Sequence, residues 1–74
     1  MHVKIYGAEG CGFCNAAISL ALDKELDYEY IDCTYDMIEF EQNFPGARSV
    51  PQIMVDGTWV GGYRDFAEVV ENIE

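Results

Sequence analysis

Two cysteines separated by two residues, Cys11-Gly12-Phe13-Cys14, are the part of this sequence best suited to chemistry. The thiolate, rather than the thiol, is the nucleophile and the metal ligand, so the surroundings of each sulfur decide what the pair can do. The pair follows a short strand-forming segment, Val3-Lys4-Ile5-Tyr6, and a loop, Gly7-Ala8-Glu9-Gly10, and it opens a helical pattern. At a helix start the backbone N–H groups lack intrahelical partners and the helix dipole is positive. Both favour a thiolate at Cys11. Cys14 stands one turn further in, close enough to close a small disulfide ring. The expected chemistry is exchange: Cys11 attacks a disulfide, a mixed disulfide forms, and Cys14 or a second thiol resolves it.

The same spacing could supply half of a zinc site, which would need two more ligands. Only Cys33 and His2 are available, and His2 stands at the N-terminus, so the strand–loop–helix context favours the redox reading and no metal is expected. Cys33, at the end of a second strand, reads as a small hydrophobe in or near the core, with a regulatory thiol as the alternative. Tyr28 and Tyr30 are expected on or beside the sheet. Trp59 is expected half-buried on an edge hairpin, unless it is exposed as a partner contact.

Elements that could hold such a pair can be read along the chain. From Gly12 or Phe13 to Leu26 the pattern is helical, with Ile18, Leu22 and Leu26 four apart and Ala17, Leu20 and Ala21 on a second stripe. Tyr28 to Asp32 reads as a strand, and roughly Asp36 to Phe44 as a shorter helix ended by Pro45-Gly46. Gln52 to Val55 and Thr58 to Gly61 flank Asp56-Gly57, a strong hairpin signal. Phe66, Val69, Val70 and Ile73 follow the i, i+3, i+4, i+7 stripe of a helix lying on a sheet. The predicted order is β-α-β-α-β-β-α, with the first two strands parallel through a right-handed crossover and the last two an antiparallel hairpin.

Composition bounds the rest. The 74 residues make one domain, residues 1–74, and half of them are hydrophobic, which permits a compact core. Three cysteines, an odd count, argue against a secreted disulfide framework. No apolar run approaches the ~20 residues of a membrane span. The chain enters its first strand without a basic-then-apolar leader, so the expected compartment is the reducing cytosol. Four basic residues against fourteen acidic ones give a net charge of −10. Such a surface repels nucleic acid and anionic membranes. It serves solubility, or steers the protein towards basic partner surfaces.

With these elements in place, the sequence resembles the glutaredoxins over nearly its whole length. Three features carry the resemblance: the strand-loop start Ile5-Tyr6…Cys11-Gly12-Phe13-Cys14; Arg48-Ser49-Val50-Pro51-Gln52-Ile53, similar to the family's Thr-Val-Pro loop; and Gly61-Gly62-Tyr63-Arg64-Asp65-Phe66, similar to its Gly-Gly-x-x-Asp-Leu segment. The resemblance implies a thioredoxin-like α/β fold, a four-stranded mixed sheet flanked by helices. It also implies a thiol–disulfide oxidoreductase with glutathione as reducing co-substrate.

Roles for single residues follow from the same resemblance. Pro51 would be a cis proline facing the cysteines, exposing the Val50 backbone to pair with the cysteinyl part of glutathione. Gly62 would allow close approach. Backbone N–H groups near Arg64 and Asp65 would hold the γ-glutamyl carboxylate. Phe13, Ser49 and Tyr63 complete the implied glutathione site. Glutaredoxins often carry a lysine three residues before the first cysteine, where Ala8 stands here; Arg48 and Arg64 are candidates to replace it as carboxylate holders, the alternative being surface residues paired with the abundant Asp and Glu. The implied partners are glutathione and disulfide-containing proteins such as ribonucleotide reductase, met by a monomer. Two alternatives stay open. One is a glutaredoxin-like hydrogen donor of ribonucleotide reductase, served by thioredoxin reductase, which Trp59…Gly62-Tyr63-Arg64 resembles. The other is a glutathione-ligated iron–sulfur carrier, whose Cys-Gly-Phe-Ser motif differs here at Cys14.

Overall fold

The computed structural model describes residues 1–72. Its elements are β1 (His2–Gly7), α1 (Gly12–Asp23), β2 (Asp27–Asp32), α2 (Ile38–Asn43), β3 (Gln52–Val55), β4 (Thr58–Gly61) and α3 (Tyr63–Glu71). The strands form one sheet in the order β2-β1-β3-β4. β1 and β2 run parallel, joined by α1, with Ile5 opposite Tyr30 and Gly7 opposite Asp32. β1–β3 and β3–β4 are antiparallel. The element order and the mixed sheet are those anticipated from the sequence.

Strand alternation splits the core in two. Val3, Ile5, Ile53 and Val55 face the helix pair α1 and α3, which contributes Ala17, Ala21, Phe66 and Val70. On the other face Tyr6 and Cys33 meet Phe40 and Phe44 from α2 and its C-terminal cap. Tyr6 and Phe44 pack edge-on with ring centroids 4.9 Å apart, and Trp59 of β4 extends the cluster at 5.3 Å from Phe44. The Asp56-Gly57 turn has positive φ at both residues, 50° and 83°, which suits the twist of a two-residue hairpin.

Two helix boundaries differ from the sequence reading, each for a local reason. α1 stops at Asp23 rather than Leu26. Glu25 takes φ 57°, and the Glu25 and Leu26 N–H groups turn back to the carbonyls of Leu22 and Ala21, at 3.1 and 2.9 Å. This is a helix-ending motif built without the usual glycine. Leu26 still packs on the core, which explains the apparent continuation of the stripe. α2 begins at Ile38, because the Asp36 carboxylate accepts the Ile38 N–H at 3.1 Å and serves the turn ahead of the helix. Ile73, expected on the last helical stripe, lies outside the described residues.

Tyr6 is buried and its hydroxyl donates to Glu39 at 2.7 Å, tying β1 to α2. Burial, then the bond and charge of Glu39, push its pKa from 10.0 to about 12. Burial, followed by Glu39, Asp32 and Asp36, also raises the Cys33 thiol above its ordinary 9.0. Both groups ionise more easily in the unfolded chain, so their contribution is complete below pH 9 and is lost as pH rises towards 12. Guanidinium unfolding midpoints measured between pH 7 and 11 should therefore fall at the alkaline end. Tyr6→Phe should flatten that fall, and an unchanged slope would show that Tyr6 titrates alike in both states.

Candidate active site

The reactive pair sits where β1 hands over to α1. Cys11 is the N-cap of α1, with extended backbone at φ −93° and ψ 108°, and its Sγ accepts the Cys14 N–H at 3.1 Å. A cysteine sulfur here takes the part that a serine or aspartate oxygen plays at other helix starts. Cys11 and Cys14 are joined as a disulfide, with Cα atoms 5.2 Å apart. The two sulfurs differ in access: Cys11 is half-buried at the rim, whereas Cys14 is 1 % exposed.

Facing the pair is the loop that enters β3. Val50-Pro51 is a cis peptide, and the Val50 carbonyl oxygen lies 3.7 Å from the Cys11 sulfur. The loop is braced from behind by a relay that the sequence reading missed. Trp59 donates its indole N–H to Gln52 at 2.9 Å, and the Gln52 amide donates to the Ser49 carbonyl at 3.0 Å. Gln52 is buried and neither of its polar groups is wasted. A glutamine between the proline and a strand-forming run was the available signal.

An open groove of about 410 Å³ runs beside the pair. Phe13 lines it from α1; Ser49, Val50 and Pro51 from the loop; and Gly62, Tyr63, Arg64 and Asp65 from the start of α3. The structure thus brings eight of the nine residues singled out as a ligand site to one surface. Phe13, 65 % exposed, and Tyr63 stand together with ring centroids 5.9 Å apart. Arg48, the ninth, lines a neighbouring hollow of about 350 Å³ together with Ala8 and Cys33, and this hollow shares Ser49 and Val50 with the groove.

The α3 end of the groove has its own construction. The first intrahelical bond is Phe66 N–H to the Gly62 carbonyl at 3.0 Å, so the N–H groups of Tyr63, Arg64 and Asp65 have no intrahelical acceptor. Asp65 folds back to accept the Gly62 N–H at 3.2 Å. Gly61, with φ 123°, permits this, since a side chain there would collide with the Asp65 carboxylate. Among the described residues no cluster of metal-ligating side chains occurs and no helix is long and apolar enough to cross a membrane.

A dithiol at the start of a helix, a cis proline opposite it and a four-stranded mixed sheet below define a thiol–disulfide oxidoreductase of the thioredoxin fold. Comparison with known proteins narrows the class. The glutaredoxin family model matches residues 3–60. Glutaredoxin 1 of Escherichia coli is 40% identical over 84 aligned positions, covering 100% of this chain and 99% of that protein. The solution structure of oxidised E. coli glutaredoxin superposes with a TM-score of 0.80 at 33% identity, covering 97% of this chain and 95% of that one. A buckwheat glutaredoxin–glutathione complex shares the fold, with a TM-score of 0.79 at 20% identity over 95% of this chain and 68% of that one. The chain belongs to the glutaredoxin family, whose members exchange thiols and disulfides through such a pair.

The positions of the two sulfurs make the order of reaction testable. In the reduced protein, iodoacetamide should alkylate Cys11 first, at a rate titrating well below the ~8.5 of free cysteine. Mass mapping after brief labelling reads this directly, and first labelling of Cys14 would reverse the roles.

Proposed function

We propose that this glutaredoxin takes its electrons from glutathione, bound along the groove between Phe13, the Ser49-Val50-Pro51 loop and the start of α3. The observation that carries the reading is the convergence of three distant chain segments on one groove beside Cys11. Each part of the groove suits one part of the tripeptide. Val50, which lines the groove ahead of the cis proline, can pair its backbone with the cysteinyl residue as an added strand would. The unpartnered N–H groups at α3 suit the γ-glutamyl carboxylate, which the helix dipole also attracts. The Phe13 and Tyr63 rings flank the ligand's apolar stem.

The reaction then runs on this chain's own residues. Thiolate Cys11 attacks a substrate disulfide, and one substrate sulfur leaves with the bonding pair. Where the adduct is a protein, Cys14 attacks the Cys11 sulfur, releases the partner and closes the ring. Glutathione reopens that ring in two exchanges. Where the adduct is glutathione itself, a second glutathione can resolve it without Cys14. Disulfide-containing proteins such as ribonucleotide reductase are the expected substrates, met by a monomer in the reducing cytosol.

Arg48 and Arg64 fit the role of carboxylate holders. Arg64 lines the groove, and Arg48 lines the adjoining hollow together with Ala8, the position where glutaredoxins often carry a lysine. Among the described residues the ion pair found is His2–Glu29 at 3.3 Å, so neither arginine is committed to an acidic neighbour there. These two guanidinium groups offer planar forks to an anionic tripeptide on a protein of net charge −10.

Two measurements test these assignments. In a coupled assay with glutathione and glutathione reductase, Cys14→Ser should keep substantial activity on glutathione mixed disulfides and lose reduction of protein disulfides. Equal loss on both would exclude the monothiol route, and turnover only with thioredoxin reductase would exclude glutathione as reductant. Arg48→Ala and Arg64→Ala should raise the glutathione KM towards the tenfold that 1.4 kcal/mol represents, more at low salt than at moderate salt. If neither raises it beyond about twofold, far under that step, the arginines do not hold the ligand.

A further inference from the structure

Gly7 closes β1 beneath the disulfide, and two side chains occupy the space its own would fill. The ideal Cβ position on Gly7 is 2.7 Å from the Cys14 sulfur, 2.8 Å from the Tyr30 hydroxyl and 2.9 Å from Tyr30 Cε1. Sulfur and phenol oxygen therefore both lie against the space of one missing side chain, no farther apart than those first two distances together, with no hydrogen bond between them while the disulfide is closed. Tyr30 reaches the spot from β2, where it is paired with Ile5, two residues before Gly7. Its hydroxyl has one weak partner, the Ala8 carbonyl at 3.5 Å, the outer limit of a hydrogen bond. The residue as a whole is 37 % exposed.

We propose that Tyr30 donates its hydroxyl hydrogen to the Cys14 sulfur when the disulfide opens, and so stabilises the leaving thiolate. When an incoming thiolate attacks Cys11, a bond forms between those two sulfurs, the Cys11–Cys14 bond breaks, and its electron pair stays on Cys14. No electron or proton is transferred to or from Tyr30, and the thiolate is later protonated by solvent. Cys14 needs such a donor more than Cys11 does. Cys11 caps the helix and accepts a backbone N–H, whereas Cys14 is one turn inside, 1 % exposed, and a buried thiolate without donors is costly.

The phenol is suited to donate rather than to act as a base. Burial, then Asp32, Cys33 and Glu9, raise its pKa, so the proton stays on the oxygen at working pH. The titratable and charged groups around the Cys14–Tyr30 pair are Cys11 across the disulfide, Glu9 from the loop after β1, Asp32 and Cys33 at the end of β2, and Arg48, which lines the adjoining hollow with Ala8 and Cys33. All but Arg48 are acidic, and Arg48 is not among the groups that shift the Tyr30 phenol.

The inference rests on Cys11 being attacked and Cys14 leaving, and it is independent of glutathione, so dithiothreitol is the reductant in the test. In reduced Tyr30→Phe, the Cys14 ¹³Cβ resonance should titrate about one unit higher than in the parent protein. Opening of the oxidised protein by dithiothreitol should slow on the order of threefold, since a leaving thiol of higher pKa departs more slowly. In a Cys14→Ser background, with Cys11 first blocked as a mixed disulfide with a small thiol, Tyr30→Phe should leave the rate at which dithiothreitol releases that thiol unchanged. Site-specific 3-fluorotyrosine at position 30, a more acidic phenol on the same ring, should shift both readouts the opposite way. It also serves as the test if Tyr30→Phe does not fold. A Cys14 shift under about 0.3 unit, or equal slowing in the Cys14→Ser background, overturns the proposal alone. An acid-trapped adduct on Cys14 rather than Cys11 overturns the assignment of roles along with it.

Discussion

Cys14 reaches the interior because Gly7 leaves room for its sulfur, and that packing divides the labour of the two thiols. With Cys14 held under the first turn, Cys11 is left at the rim, where it caps α1 and faces the loop before β3. Both sulfurs belong to one helix start, yet only Cys11 meets unpartnered backbone N–H groups and the open end of the dipole. A thiolate is cheap there and expensive one turn in. The order of attack and resolution thus follows from local packing, without any charged residue between the cysteines.

The remaining architecture places partners around that rim. β1 lies inside the sheet, so both ends of the order β2-β1-β3-β4 can deliver groups to its C-terminal end. β3 brings the cis-proline loop, and the chain leaving β4 turns into α3 beside it. The aromatic cluster on the α2 face, from Tyr6 through Phe44 to Trp59, ends in the relay from Trp59 through Gln52 to Ser49. A chain of packed rings and satisfied amide groups therefore fixes the backbone that faces the reactive sulfur. Two hydrogen bonds of this kind contribute on the order of 1 kcal/mol each, and their larger effect is orientation.

The sequence was most legible where one residue type admits few conformations. Asp56-Gly57 turned as expected, Phe66 and Val70 were buried on the last helix, and the cysteine pair stood at a helix start. It was least legible where a common residue adopts an unusual role. Glu25 takes a left-handed conformation and ends α1 early, although glutamate is ordinarily a helix former. Asp36 serves a turn instead of the helix. Within the site, the residues of the groove were visible because motifs carry them. The Gln52 brace and the approach of Tyr30 and Cys14 to Gly7 depend on contacts between elements distant in sequence, which spacing along the chain does not encode.

The acidic balance of the chain gains meaning from this arrangement. Of its four basic residues, Arg48 and Arg64 line the hollows beside the dithiol. Arg48 shares its hollow with Cys33, next to the end of β2, where Glu9, Asp32 and Asp36 also act. Burial first, and then these carboxylates, raise the pKa of Tyr30 and Cys33. The arginines thus favour an anionic ligand at the hollows, while burial and acidic neighbours keep the thiol and phenol protonated. With exposed charges screened beyond about 8 Å at physiological salt, this division acts locally around the site and leaves the net charge to govern encounters with larger partners.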